Sequence, residues 1–246
     1  MRIGPKIGIS CLAFIAAFLL ISYCFAAPQA HKTHSVGLGA AKKVPYSKAG
    51  DPAGALPGED SLKIRALNVD GVVKEWTTGD AHDVTDRSFV VRRAIRLNNE
   101  LPGEKPPPGS KADRWVWQRG PWIVVDRTTG RITPLKLPDY EPGVSQVSWF
   151  RDYGAYCGVT ASGKSLYAVV MQVSARKPAL ARKLEGFDAP GGAGAPVCGE
   201  PVWQRDPLRV IFHPQGKEAV SFDIVPGSAV LVEDSPDEPE TPQKPE

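Results

Sequence analysis

One segment of this 246-residue chain carries the pattern of a phosphate-binding loop. Gly158-Val159-Thr160-Ala161-Ser162-Gly163-Lys164-Ser165 fits GxxxxGK[ST] without a mismatch. In that role the backbone N–H groups from Gly158 through Gly163 cradle phosphates, Lys164 reaches the β/γ-phosphates and Ser165 holds Mg²⁺. The chemistry also needs a helix after Ser165. Residues 165–173 instead read SLYAVVMQV, rich in β-branched side chains and apolar on both faces of a strand. The apolar run ending in Asp126 comes before the loop, whereas the metal-holding Asp of such sites comes after it. A hairpin turn at Ala161–Lys164 is the expectation that fits the flanking residues, with the nucleotide site as its alternative.

Tryptophan and arginine recur at a fixed offset. Val116-Trp117-Gln118-Arg119-Gly120-Pro121 is matched by Val202-Trp203-Gln204-Arg205-Asp206-Pro207, and more loosely by Ser148-Trp149-Phe150-Arg151-Asp152. On a strand, residues i and i+2 share a face. Each copy therefore sets a guanidinium beside an indole: Arg119 by Trp117, Arg151 by Trp149, Arg205 by Trp203. Such pairs stack, and Trp and Arg dominate binding hot spots, so these six are the candidate ligand- or partner-binding residues. The competing reading is three equivalent strands whose Arg stems cover core indoles.

Other chemistries find less support. Asp80-Ala81-His82-Asp83-Val84-Thr85-Asp86 gathers three carboxylates and one imidazole that could hold a divalent cation in a metal-dependent hydrolase, but without the spacing of a calcium loop. A polar loop is the plainer expectation. His31 and His34 lie three apart in a stretch with no other ligand, and His213 precedes Pro214 at a strand end. There is no GxSxG and no HExxH, so no catalytic residues, metal ligands or cofactors are expected.

The elements that must position these residues are short strands. Gly and Pro together make up 48 residues, about one in five, which favours turns over long helices. Hairpins are expected around Asp70-Gly71, Thr128-Thr129-Gly130, Ser162-Gly163 and Gln215-Gly216. Phe89–Leu97 fits either a strand or a helix with three arginines outward, and its Phe-Val-Val start favours strand. The expected body spans 61–232 as one all-β domain, an antiparallel meander of short strands arranged as a β-sandwich or a small propeller. The copies of the Trp-Gln-Arg motif lie 86 residues apart, twice 43, which is the spacing of propeller blades. With the TTGR and SGKSLY hairpins, this resembles the blades of exported bacterial β-propeller proteins. The resemblance implies four blades over about 170 residues and no particular functional residues.

Both flanks read differently. Arg2 and Lys6 precede a charge-free apolar run, residues 7–27, with small residues Cys24 and Ala26 before the expected cleavage point. This is a signal peptide over 1–26 or, if uncleaved, an anchor, since 21 helical residues span about 30 Å. A lipidated Cys24 is a third form, disfavoured by Tyr23. Each places the body outside the cytosol. Residues 27–60 read as a flexible, disordered spacer and 233–246 as a disordered acidic tail with Pro236, Pro239, Pro242 and Pro245 on one polyproline edge. Cys157 and Cys198 form an even pair in an oxidising compartment, without a CxxC partner, and are expected to bond as a disulfide.

The formal net charge is +3, and the tail alone contributes −5, so residues 27–232 are mildly basic. No basic face or reading motif for nucleic acid is evident. The expected partner is a protein or small ligand, with membrane contact only through an uncleaved N-terminal segment. The expectation is a non-enzymatic binding or scaffold module of the cell envelope or secreted fraction.

Overall fold

The alternating apolar segments pair as antiparallel strands. The computed structural model describes residues 33–51, 53, 55, 58–98, 115–184, 198–225 and 228–232. Among these there is no α-helix, only a 3-10 turn at Lys48–Gly50. The expected signal segment and the acidic tail lie outside the described residues.

A large sheet holds β1 (Val36–Leu38), β2 (Lys42–Pro45), β3 (Ser61–Val69), β4 (Val72–Thr85), β5 (Ser88–Asn98), β6 (Trp115–Asp126) and β7 (Ile132–Pro134). Its order is β1-β3-β4-β5-β6-β7, with β2 also paired to β3. The second sheet is the meander β8 (Ser148–Phe150), β9 (Tyr153–Val159), β10 (Leu166–Gln172) and β11 (Lys177–Leu184). The third is the meander β12 (Val202–Arg205), β13 (Leu208–Phe212), β14 (Val220–Val225) and β15 (Ser228–Val232). Phe89–Leu97 is strand, inside β5, as its β-branched start indicated.

The second sheet is the middle layer. Its alternate residues Ala155, Cys157, Ala168 and Val170 pack on Val210, Phe212, Phe222 and Ile224 of the third sheet. The intervening Tyr156, Val169 and Met171 join a cluster with Trp122 of the large sheet. Burial on both faces explains the unbroken apolar run of β10: a strand covered on one face only would alternate with polar residues. The Cys157–Cys198 disulfide lies in the core between the second and third sheets, with Cα atoms 6.2 Å apart.

The large sheet curls. Past β2, Tyr46 forms a parallel bridge with Trp117, and Ser47 N–H donates to the Trp117 carbonyl at 2.9 Å. The sheet does not close into a barrel. Its inner side is filled by Leu67, Phe89, Val91, Ile123 and Val125, and at the other end by Leu62, Ile64, Ala94 and Trp117. Pairing of β4 with β5 breaks between Thr78 and His82, where Gly79 takes a φ of 73° that a bulge accommodates readily only at glycine.

Two expectations change. Residues 36–45 are not a spacer: β1 and β2 pair along β3, and Val36, Leu38, Val44 and Tyr46 pack into the curled sheet. Their composition is sparse in large apolar residues, but the few present alternate, which suffices for an edge strand. The sheets also do not follow the four-blade expectation. The second and third have a blade's four strands, whereas the described residues before them form one seven-stranded sheet.

Candidate functional site

The curl of the large sheet produces an open groove of about 750 Å³ lined from four strands. β6 contributes Trp115 and Trp117, two residues apart and therefore on one face. Arg96 of β5 stands directly opposite Trp117 in the register. Trp76 of β4 meets Trp117 edge to face, centroids 5.9 Å apart at 72°. β2 adds Lys42, whose Nζ lies 3.9 Å from the Trp76 ring centroid, and the Arg96 guanidinium lies 4.5 Å from that of Trp115. Lys74 stands at the same groove. Glu75, the carboxylate in the lining, is 2.6 Å from Arg93 and is neutralised by it. Among the described lining residues, Lys42, Lys74 and Arg96 therefore give the groove a positive excess.

The indoles differ in role. Trp117 is buried at 9% exposure and belongs to the core with Leu62 and Ile64, while Trp115 is 40% exposed. Truncating Trp117 removes core volume, whereas truncating Trp115 removes contact surface.

A charged cluster braces the neighbouring stretch of β6. Asp51, fully buried, pairs with Arg92 at 2.6 Å and lies 3.7 Å from Arg119. Arg119 also bonds both Glu59 oxygens, at 3.0 and 3.1 Å, and donates to the Tyr46 hydroxyl at 2.8 Å. Burial, aided by the Asp51 and Glu59 carboxylates, pushes the Tyr46 hydroxyl above its ordinary pKa, with Arg119 opposing. Arg92 and Arg119 line a smaller cleft of about 440 Å³ with Trp122 and Tyr140. Burial raises Tyr140 as well, against the nearby Arg92 charge. Among the described residues two carboxylates face two guanidiniums here, and the cluster ties Tyr46, Asp51 and Glu59 to the sheet.

The three motif tryptophans are not gathered on one surface. Trp117 lines the groove. Trp149 packs between Trp122, at 5.0 Å, and His82, at 6.0 Å. Trp203 stacks on Phe150 at 5.5 Å and donates its indole N–H to the Ser148 carbonyl at 3.2 Å. Arg151 turns away at a φ of 48° and places its guanidinium 5.3 Å from the Phe150 ring. Arg119 stands over the Tyr46 ring at 4.9 Å, and Arg205 is exposed at the end of β12. The looser echo is the better structural match. Trp149 and Trp203 both lie on the first strand of a four-stranded meander, and Arg-Asp follows into a turn. In the Trp117 copy Gly120-Pro121 continues the strand.

The phosphate-loop pattern folds as the hairpin. Gly158 lies in β9, Gly163 is a turn residue at φ 71°, and Lys164 and Ser165 lead into strand β10. Gly163 N–H donates to the Thr160 carbonyl at 2.8 Å and Thr160 N–H to the Ser165 carbonyl at 3.1 Å. Two of the amides a phosphate would need are thereby spent within the turn, and no helix follows to supply more. Two residues of the acidic segment 80–86 likewise have partners within the fold. Asp83 pairs with Arg127 at 2.6 Å, and His82 Nε2 bonds the Arg151 carbonyl at 2.8 Å. Among the described residues no three His, Cys, Asp or Glu side chains are grouped to hold a metal ion. His34 pairs with Asp70 at 2.8 Å, and the His213 carbonyl accepts from Gly199 N–H. His31 lies outside the described residues.

Sequence reasoning found Trp117 of the groove and passed over Trp115, Trp76, Lys42, Lys74 and Arg96. The Trp115-x-Trp117 alternation was a usable signal, since it places two indoles on one strand face. Nothing local marks Lys42 or Trp76, which meet only through the strand pairing of β2 and β4 with β3. No known protein family, curated protein or solved structure matches the chain.

Proposed function

We propose that the chain is an exported, non-enzymatic binding module of the cell envelope or secreted fraction, and that the tryptophan groove is its binding surface. The observation that carries this reading is the lining itself. Three indoles and three cations converge on one concave, solvent-open site whose volume falls in the range of ligand pockets. Trp and Arg are the residues that dominate recognition surfaces. Export is supported by the charged, apolar and small-residue succession of residues 1–26, together with the Cys157–Cys198 bridge, a bond typical of oxidising compartments.

Retention from the native compartment tests it. The mature chain and its Trp115→Ala/Arg96→Gln variant are immobilised and exposed to separated protein, polysaccharide and small-molecule fractions of the envelope and medium. We expect one fraction to be held by the wild type and released by the variant at unchanged melting temperature. Equal retention by both, or by neither, overturns the reading. Fractionation of cells carrying the native protein tests export, which fails if the chain stays in the cytosol.

A further inference from the structure

We infer that the groove takes an anionic polysaccharide, an inference that rests on the groove being the binding surface. The relevant geometry is a repeated unit. Lys42 stands 3.9 Å over Trp76, and Arg96 stands 4.5 Å over Trp115. Each unit holds a positive charge on the face of an indole, so a ligand acid group that meets the cation lies beside the apolar edge of the ring. A pyranose ring bearing an acid group has the complementary parts: a face of C–H bonds, an edge of hydroxyls and one negative charge. Two units in one groove suit two sugar residues of one chain.

Charge and shape narrow the choice. Among the described residues, neither Lys42, Lys74 nor Arg96 pairs with a carboxylate, and the one carboxylate in the lining is held by Arg93. An uncharged ligand would displace water from these cations without offering them a counter-charge. A single-stranded nucleic acid is favoured by successive exposed aromatic faces on which bases stack. Here Trp76 and Trp117 meet edge to face and Trp117 is in the core, so they do not form such a run. A lipid surface is met by protruding apolar groups rather than by a concavity, and the indoles here line the concave side.

The test titrates the mature chain, followed by tryptophan fluorescence and calorimetry, with five probes at equal ionic strength. They are polygalacturonate, neutral dextran, polyglutamate, oligo-dT and phosphatidylglycerol vesicles. The expected result is saturable binding of polygalacturonate, weakened by added salt, with dextran and polyglutamate at least tenfold weaker. Trp115→Ala and Arg96→Gln each lower the polygalacturonate affinity roughly tenfold at unchanged melting temperature. Equal binding of polyglutamate reduces the effect to charge and overturns the inference. Binding of oligo-dT or vesicles in preference overturns it too, while leaving the groove as the binding surface. No binding of any probe also overturns the inference, and the envelope-retention experiment then decides separately whether the groove binds at all.

Discussion

The Asp51 carboxylate lies 2.6 Å from Arg92 Nη1, with the aspartate side chain wholly enclosed and the arginine nearly so. Arg92 Nε also donates to the Gly120 carbonyl at 2.9 Å, so the guanidinium is fixed from two sides. Removing the acid strands a cation in the interior, which typically costs about 3–5 kcal/mol. Asp51→Ala should therefore lower the unfolding free energy by about that amount in denaturant titration. Asp51→Leu combined with Arg92→Met should recover most of the loss, because the enclosed pair is removed together and Arg119 keeps Glu59. A single-variant loss below about 1 kcal/mol would show that the pair is not enclosed.

Trp115 and Trp117 should separate binding from folding. Trp117→Ala empties part of the core beside Leu62 and Ile64 and should cost about 3–5 kcal/mol. Trp115→Ala removes an exposed ring and should stay within about 0.5 kcal/mol while weakening ligand retention. Equal stability losses for the two would contradict the division of roles.

Gly154 faces Trp149 across the β8–β9 hairpin, and a Cβ at residue 154 would lie within 3.0 Å of three carbons of the Trp149 six-membered ring, too close for van der Waals contact. The indole in turn rests against Trp122. Gly154→Ala should cost about 1–3 kcal/mol and alter the near-ultraviolet circular dichroism as Trp149 is displaced. A silent substitution would mean that Trp149 has room to move.

The disulfide closes a separation of 41 residues between β9 and the chain entering β12. Replacing Cys157 and Cys198 together by alanine frees that loop in the unfolded chain. The expected loss is about 4 kcal/mol by the chain-entropy argument. Calorimetry of the double variant against the oxidised wild type measures it.

Alkaline pH should destabilise the fold through its tyrosines. Burial holds the Tyr46, Tyr140 and Tyr156 hydroxyls above the ordinary value of 10.0. Above that value the unfolded chain releases these protons while the folded chain keeps them, so stability falls as pH rises past about 10. Tyr156 donates to the Pro138 carbonyl at 2.7 Å and should be the last to ionise. Ultraviolet titration of Tyr156→Phe against the wild type should remove a phenolate that appears only with unfolding. Ionisation of Tyr46, Tyr140 and Tyr156 near pH 10 in the folded state would contradict the burial.

Local chemistry was legible in the residues themselves. Alternation marked the strands from Leu62 onward, turn residues marked their hairpins, and the apolar run after Ser165 marked β10 as a strand with two covered faces, against the phosphate-loop pattern. The disulfide followed from an even pair of cysteines without redox or metal neighbours. The tertiary structure decided what a period of two leaves open. Alternation says which residues share a face, but not which strand lies alongside or which sheet covers that face. Lys42 and Trp76 meet because β2 and β4 both pair with β3. Residues 34–51 joined the body because a few alternating apolar side chains lie on strands that pair along β3 and the buried Asp51 carboxylate found Arg92, 41 residues away. The motif tryptophans separated for the same reason: equal local sequence was set into unequal strands, and the surroundings of each indole were supplied by distant parts of the chain.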